Sequence, residues 1–248
     1  LHQGLQQRKT PSGAWLQVAC AGLPSQVCMQ CCINFAYVFW MAIQSFRCHD
    51  NFFHLCLDKG DIINIMLYIM RHGKTEWNQQ HKLQGRTDIP LNDEGRKMAE
   101  AAHTEYLDVH FDVCYTSPLI RAKETAEIVL RDRNVPIITD DRLVEMSFGC
   151  YEGLANIFQI PDCPINVLFK EPASYTESVG GSETFDELFA RTSSFISEVV
   201  TPTIKSGKDI LIVGHGAMNS AIICQIRKLE ISDFWSNGIE QCKLVRLI

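Results

Sequence analysis

The pattern of apolar and polar positions divides the chain near residue 66, because it is regular after that point and irregular before it. In the regular part, short apolar runs of strand length alternate with longer stretches that carry apolar residues at helical spacing. The runs predict strands at 67–70, 111–116, 135–139, 209–213 and 243–248. The amphipathic stretches predict helices over 92–106, 119–131, 185–199 and 219–227. Since strands and helices alternate, we predict an α/β fold, a three-layer sandwich with a mostly parallel central sheet and helices on both faces.

Local signals indicate where two of these helices begin. Ser117 and Pro118 follow the second strand, and serine favours the N-cap of a helix while proline favours its first position. After Gly180-Gly181, one apolar helical face is formed by Phe185, Leu188, Phe189, Thr192, Phe195, Ile196 and Val199. We therefore expect one helix directly after Pro118 and a long one from about residue 185.

Residues 1–65 differ from the rest of the chain in composition as well as in pattern. They hold six of the eleven cysteines, no glutamate, three aspartates and four lysines or arginines. Their apolar run from Cys31 to Ile43 covers 13 residues, which is too short to cross a bilayer. We interpret 1–65 as a non-native or poorly ordered segment, with a genuine accessory segment as the alternative, and 66–248 as the folded domain. We expect a chain that starts at Met66 to fold and to keep its activity.

The charge of the chain argues against some classes of partner. The formal net charge is −6, and residues 66–248 alone hold 26 acidic and 19 basic residues, a net charge of −7. No stretch is rich in lysine or arginine, so we expect no nucleic-acid partner. No apolar run reaches membrane-spanning length, so we expect no membrane partner. The oligomeric state is left open by the sequence.

The cysteines form no recognisable framework of disulfides or metal ligands, because their number is odd and their spacing irregular. Cys28, Cys31 and Cys32 resemble a Cys-x-x-Cys pair, but no second pair or histidine partner follows at the spacing of a zinc site. We expect no metal and no cofactor. We interpret the later cysteines as buried free thiols in a reducing compartment, the cytoplasm. They are Cys114, Cys150, Cys163, Cys224 and Cys242.

Arginines and histidines lie where three of the predicted strands end. Arg71 and His72 follow the first strand, and Arg121 lies just inside the helix after the second. His215 ends the strongly apolar strand 209–213. Open α/β sheets bind ligands outside the carboxyl ends of their strands, so we expect these side chains to converge. Two guanidinium groups and two imidazoles suit a phosphate dianion, and histidine can also act as a nucleophile. A helix starting within 74–78 would direct free N–H groups at the same anion.

Each of these residues also has an ordinary structural interpretation. An isolated Arg-His-Gly is a weak signal, and a histidine between two glycines, such as His215, can be a satisfied buried residue. Arg121 can be an exposed helix charge, and Glu145 can cap a helix or form an ion pair. It is the ordered combination, and no single residue, that favours a functional site.

Taken together, these motifs resemble those of the histidine phosphatase superfamily, whose members are also called phosphoglycerate-mutase-like proteins. The first motif reads Leu-Tyr-Ile-Met-Arg-His-Gly-Lys-Thr-Glu-Trp-Asn. Five segments carry the resemblance in the order of the family: Leu67–Asn78, Gln84–Asn92 with Gly95, Ser117–Ala126, Glu145–Gly153 and Val213–Gly216. The resemblance covers essentially all of 66–248 and none of 1–65.

The resemblance implies a role for each matching residue. His72 would attack phosphorus and form a phosphohistidine, while Arg71, Arg121 and His215 would hold the phosphoryl oxygens. Glu145 would protonate the leaving oxygen and later take a proton from water. Substrate binding is expected from Gly73, Lys74, Thr75, Asn78, Gln84, Gly85 and Gly216.

Within the family, three activities remain to be separated. Cofactor-dependent mutases typically have Glu-Ser after Arg-His-Gly, whereas this chain has Lys74-Thr75, and the segment 145–153 resembles broad-specificity and ribazole-type phosphatases. We therefore predict a metal-independent phosphomonoesterase for a small phosphorylated metabolite. A phosphoglycerate mutase is the alternative, and a catalytically silent phospho-ligand-binding protein is the second. The segment 155–179 is expected to cover the leaving group, although its aromatic residues can equally cap the core.

Overall fold

The computed structural model describes residues 65–236 and 238–248. The expectation for residues 1–65 therefore lies, except for Ile65, outside the described residues and stays a prediction.

The described residues form one five-stranded sheet with the strand order β3-β2-β4-β1-β5. The strands are β1 (Leu67–Arg71), β2 (Val113–Thr116), β3 (Ile137–Thr139), β4 (Ile210–Gly214) and β5 (Leu244–Arg246). The first four run parallel to one another, and β5 runs antiparallel to β1. The predicted mostly parallel α/β sheet is thus confirmed. The third strand starts two residues later than predicted because Pro136 cannot donate to a ladder, although its carbonyl oxygen accepts from the N–H of Cys114.

Helices connect the strands and cover the sheet. They are α1 (Glu76–Gln79), α2 (Asp93–Glu105), α3 (Ile120–Val129), α4 (Asn166–Lys170), α5 (Phe185–Phe195), α6 (Thr201–Lys205) and α7 (Gly216–Arg227). One π-helical turn, Ile196–Val200, joins α5 to α6, so the predicted long helix after residue 185 is continuous but not uniformly α-helical. Short 3₁₀ turns lie at Asp141–Leu143, Gly149–Tyr151, Ile157–Gln159, Pro172–Ser174 and Ile231–Asp233.

Two details of the prediction are wrong. Ser117 does not cap α3, because its hydroxyl accepts from the N–H of Leu119 in a turn before the helix. The first N–H of α3, that of Ile120, donates instead to the carboxylate of Asp88 at 2.8 Å, a capping partner 32 residues earlier in the chain. Cys150 is exposed rather than buried, while the other four described cysteines are buried free thiols.

The sheet is packed on both sides. Met70, Cys114, Leu211 and Val213 belong to one cluster with apolar residues of α2 and α3. Side chains between them along the strands point to the opposite face, where α7 packs against β1. A second cluster joins α5 and α7 to the segment around α4. None of the helices in the described part of the chain has the length and apolar character needed to cross a bilayer.

The register of the parallel strands places the site. Arg71 at the end of β1 pairs with Gly214 at the end of β4, and Thr116 at the end of β2 pairs with Val213. The residues that follow these strands therefore leave the sheet along the same edge, which is where ligands bind in open α/β sheets.

Candidate active site

The imidazole rings of His72 and His215 lie side by side at this edge. Their centroids are 5.1 Å apart with an interplanar angle of 61°, and both residues are buried. The backbone explains the placement, because the N–H of His72 donates to the carbonyl oxygen of Gly214 at 2.9 Å and continues the β1–β4 ladder by one residue. The two sequence-predicted histidines are thus brought together.

A hydrogen bond fixes which nitrogen of His72 can react. Its Nδ1 lies 2.7 Å from the carbonyl oxygen of Gly73, and since that oxygen can only accept, Nδ1 carries the proton. The lone pair of the neutral ring is therefore on Nε2. Burial first, and then the charges of Arg121 and Arg71, hold the pKa of His72 well below its usual 6.5. The ring is neutral at physiological pH, as a nucleophile requires.

Arg121 is fully buried and anchored by the loop that follows α1. Its Nη1 donates to the carbonyl oxygen of Thr87 at 2.9 Å, and its Nη2 to that of Gly85 at 2.7 Å. Burial lowers the pKa of Arg121 to about 10 and also lowers that of Arg71, while the charge of Glu145 opposes both shifts. At physiological pH Arg121 remains a cation beside His72.

Several buried polar atoms at this site have no hydrogen-bond partner among the described residues. They are Nε of Arg71, Nε of Arg121 and both ring nitrogens of His215. Buried polar groups in proteins nearly always have partners, so such a cluster points to a bound ligand. Guanidinium N–H groups require an acceptor, and an acceptor shared by two cations and an imidazole is an anion.

Glu145 lies at the amino terminus of α7. Its Oε1 accepts from the backbone N–H of Met146 at 2.9 Å and from that of Met218 at 3.0 Å. Its Oε2 makes one longer contact, 3.3 Å from the N–H of Ala217. The helix dipole favours a negative charge at this position. Glu145 is therefore held next to the arginines with Oε2 as its less engaged oxygen.

Three residues of the loop after β1 form contacts within the protein. The side chain of Thr75 is buried and caps α1, accepting from the N–H of Asn78 at 3.2 Å. Lys74 forms an ion pair with Glu94 at 2.5 Å. The backbone N–H of Gly73 donates to Oγ1 of Thr125 at 3.0 Å. The structure thus gives Gly73, Lys74 and Thr75 partners within the protein.

A cavity of about 190 Å³ opens in front of these groups. Of the sequence-predicted residues its lining includes Arg71, His72, Asn78, Gln84, Gly85, Arg121, Glu145 and Gly216. His215 is not among the lining residues although its ring lies beside that of His72, and Gly73, Lys74 and Thr75 are also absent from the lining. Residues that the sequence reasoning did not assign to the site also contribute, namely Lys82, Leu83, Phe148, Ala217, Ser220, Trp235, Gly238 and Ile239. Phe169 is also there, so one aromatic residue of 155–179 reaches this cavity, whereas Tyr175 is buried in the core against Phe185.

Two supporting residues were also missed by the sequence reasoning. The amide of Gln241 donates to Oδ1 of Asn78 at 2.9 Å and helps to hold the side chain of this cavity-lining residue in place. The carboxylate of Glu152 accepts from the backbone N–H groups of Arg86 and Thr87 at 3.0 and 2.9 Å. Glu152 thereby fixes the loop whose carbonyl oxygens hold Arg121. The sequence signal that pointed to Glu152 was its position within the family-like segment Glu145–Gly153.

One cluster of metal-type ligands occurs among the described residues, at the opposite edge of the sheet. Ligand atoms of His110, Asp112 and Asp209 lie within 4.8 Å of one another. Asp112 accepts from the N–H of Asp209 at 2.8 Å, and Asp209 accepts from that of Met66 at 2.7 Å. These two carboxylates join the amino-terminal ends of β1, β2 and β4, whereas His72 and His215 lie at the carboxyl ends.

Comparison with known proteins agrees with the geometry. The profile of the histidine phosphatase superfamily (branch 1) matches residues 67–248. The 2,3-bisphosphoglycerate-dependent phosphoglycerate mutase of Cytophaga hutchinsonii is 32% identical over 170 residues, 68% of this chain and 80% of that protein. The uncharacterized phosphatase PhoE of Bacillus subtilis is 35% identical over 158 residues, 64% of this chain and 75% of that protein. The solved structure of Bacillus stearothermophilus YhfR matches with a TM-score of 0.66 and 29% identity, over 73% of this chain and 90% of that one. Together with the site at the strand ends, the profile match shows that the chain belongs to the histidine phosphatase superfamily.

Proposed function

We propose that the protein is a phosphomonoesterase that hydrolyses a small phosphorylated metabolite through a phosphohistidine on Nε2 of His72. One observation carries the proposal, namely that a neutral buried imidazole lies beside a set of buried cationic and imidazole nitrogens without partners. A phosphate dianion supplies the acceptors that these nitrogens need. The same arrangement presents phosphorus to an unprotonated ring nitrogen.

In the first step the lone pair on Nε2 of His72 attacks phosphorus, and the bond from phosphorus to the ester oxygen breaks. Arg71, Arg121 and His215 bind the equatorial phosphoryl oxygens and stabilise the transition state. The imidazolium that forms keeps its Nδ1–H bond to the carbonyl oxygen of Gly73, so that oxygen stabilises the new positive charge.

The leaving oxygen needs a proton, and we assign this role to Glu145. Its Oε2 makes the single, longer backbone contact, so this oxygen carries the proton towards the substrate. In the second step the Glu145 carboxylate takes a proton from water, and the water oxygen attacks phosphorus. The phosphorus–nitrogen bond then breaks, phosphate leaves, and His72 is neutral again. Over the whole cycle one water molecule is consumed, and the proton that it gives up restores the acid form of Glu145.

Phosphoglycerate mutase activity is the second candidate, because a mutase is among the relatives. A mutase uses the same phosphohistidine but returns the phosphoryl group to a hydroxyl of the substrate instead of water. Lys74-Thr75 in the first motif and the phosphatase PhoE among the relatives support hydrolysis. A silent binding protein is disfavoured because the nucleophile, the cations and the acid are all present.

The proposal is tested by turnover of p-nitrophenyl phosphate at mildly acidic pH, with His72→Ala as the matched control. We expect the wild-type protein to release phosphate over many turnovers and the variant to release none. In a second assay, 3-phosphoglycerate is added with a trace of 2,3-bisphosphoglycerate. Formation of 2-phosphoglycerate faster than inorganic phosphate would replace hydrolysis by the mutase reaction, and absence of both activities would leave the binding protein.

We also propose that the protein acts in the cytoplasm. The five described cysteines are all free thiols, four of them buried, which is the state favoured in a reducing compartment.

A further inference from the structure

A second cavity adjoins the first and is larger. Its volume is about 330 Å³, compared with about 190 Å³ for the cavity in front of His72. The two share Asn78, Lys82, Leu83 and Phe169 in their linings, so they adjoin along this wall. A group attached to a phosphate at His72 that follows these shared side chains is directed towards the second cavity.

The wall between the two cavities is aromatic. Phe169 stacks on Trp235 with a centroid distance of 5.1 Å and an interplanar angle of 30°. Phe158 also meets Phe169 edge to face, with a centroid distance of 5.5 Å. Phe158 is 59% exposed, the largest exposed fraction among the exposed large apolar residues of the described chain. An exposed phenyl ring at the mouth of a cavity gains free energy when a ligand covers it.

We propose that this second cavity binds a planar apolar ring on the alcohol part of the substrate, with Phe158 and Phe169 as the residues that contact it. The inference rests on the proposed phosphatase function and adds the substrate class, phosphomonoesters of ring-bearing alcohols. The size supports it, because sites of about 300 Å³ or more accommodate whole small ligands. A three-carbon phosphate ester has no apolar ring with which to cover the exposed side chain of Phe158.

The charges of the cavity restrict the ring further. His81 and Lys82 are its charged or chargeable lining residues, and no carboxylate contributes to it. The ammonium of Lys82 lies 5.6 Å from the centroid of the Trp77 ring and forms no ion pair within the described part of the chain. Neutral or anionic rings are therefore favoured over cationic ones.

The test compares 4-phenylbutyl phosphate with butyl phosphate. The two alcohols have nearly the same acidity, so a difference in kcat/KM reports binding of the ring and not departure of the leaving group. Burial of a phenyl group predicts a preference of about 10- to 100-fold for the phenylbutyl ester. Equal kcat/KM for the two esters would overturn the ring site and leave the phosphatase intact. Absence of turnover with both would overturn the proposed function and the ring site with it.

Variants locate the ring. Phe158→Ala should reduce the preference towards one, and Phe158→Tyr, which keeps the ring, should retain it. Ile160→Ala is the matched control, because Ile160 is also exposed, lies two residues away and lines neither cavity. If Phe158→Ala kept the full preference, or if Ile160→Ala lost it to the same extent, the assignment to this cavity would be wrong.

Discussion

The rings of His72 and His215 lie 5.1 Å apart inside the protein, with the charges of Arg71 and Arg121 close to both. Each ring has a pKa well below 6.5, for which burial is the largest cause and the charge of Arg121 the next. Neither ring can gain a proton near neutral pH without placing another positive charge in this cluster. The site is thus arranged for an anion and not for a third cation.

This arrangement predicts that the unliganded protein loses stability as the pH falls below about 6.5. In the unfolded chain both histidines bind protons at their ordinary pKa, whereas the folded protein does not, so the unfolded state binds more protons. Each histidine should lower the free energy of unfolding by up to about 1.4 kcal/mol per pH unit in this range. Urea unfolding between pH 7.0 and 5.5 measures the slope.

Substitution separates these histidines from other groups that titrate. His215→Asn should reduce the slope because it removes one of the two buried rings. His81→Asn is the control, since His81 is exposed and adopts a left-handed backbone conformation (φ 52°) that asparagine tolerates. The same slope in wild type and His215→Asn would contradict the explanation.

A second prediction concerns Glu145 as the general acid. Glu145→Gln cannot deliver a proton in the same way, so formation of the phosphoenzyme from an alkyl phosphate should slow by about 10²–10⁴-fold. With p-nitrophenyl phosphate the slowing should be much smaller, because p-nitrophenolate leaves without protonation. Single-turnover kinetics are needed, since Glu145 also acts in the later water step.

The control for this prediction removes a phosphate contact and leaves the acid in place. Arg71→Lys keeps the charge but loses the planar arrangement of donors, so it should slow both substrates by a similar factor. Equal slowing of both substrates by Glu145→Gln would exclude the general-acid role.

A third prediction tests the close approach between the loop after β1 and the first turn of α2, which positions the residues after His72. A Cβ on Gly95 would overlap the carbonyl oxygen of Lys74, and one on Gly73 would lie 2.6 Å from the carbonyl oxygen of Gly95. Gly95 is in the first turn of α2, where helix propensity alone favours alanine by about 1 kcal/mol. We nevertheless expect Gly95→Ala to lower the free energy of unfolding by about 1–3 kcal/mol through overpacking.

The sign of that change decides between propensity and packing. Glu100→Ala, at an exposed position of the same helix, should stay within about 0.5 kcal/mol of wild type. Stabilisation by Gly95→Ala would show that the loop after β1 and the first turn of α2 can separate at little cost.

Much of the site followed from the sequence because it depends on strand ends. Apolar runs locate β1 and β4, and parallel pairing then brings His72 and His215 together without further information. The helix start at Ile120 was placed only approximately, because its capping carboxylate, Asp88, comes from a remote loop that no local pattern connects to it. A pattern of neighbouring residues cannot predict a hydrogen-bond partner that is this distant in the sequence.

The aromatic part of the site was only partly predictable, because the sequence left the aromatic residues of 155–179 open between the site and the core. Phe169 lies in a segment without clear periodicity, and Trp235 reaches it through tertiary packing. The indole N–H of Trp235 donates to the carbonyl oxygen of Leu168 at 2.8 Å, which holds its ring against Phe169. The roles of Lys74 and Thr75 were similarly hidden, since an ion pair and a helix cap depend on geometry that the motif alone does not give.

The central claim is tested most directly by trapping the covalent intermediate. Protein mixed rapidly with phosphate-labelled substrate is denatured in alkali, digested, and mapped by mass spectrometry. We predict an acid-labile, alkali-stable phosphate on Nε2 of His72, no label in His72→Asn, and slower labelling at His72 in His215→Asn. A label retained by His72→Asn, or mapped to His215 or a carboxylate in the wild-type protein, would contradict the account.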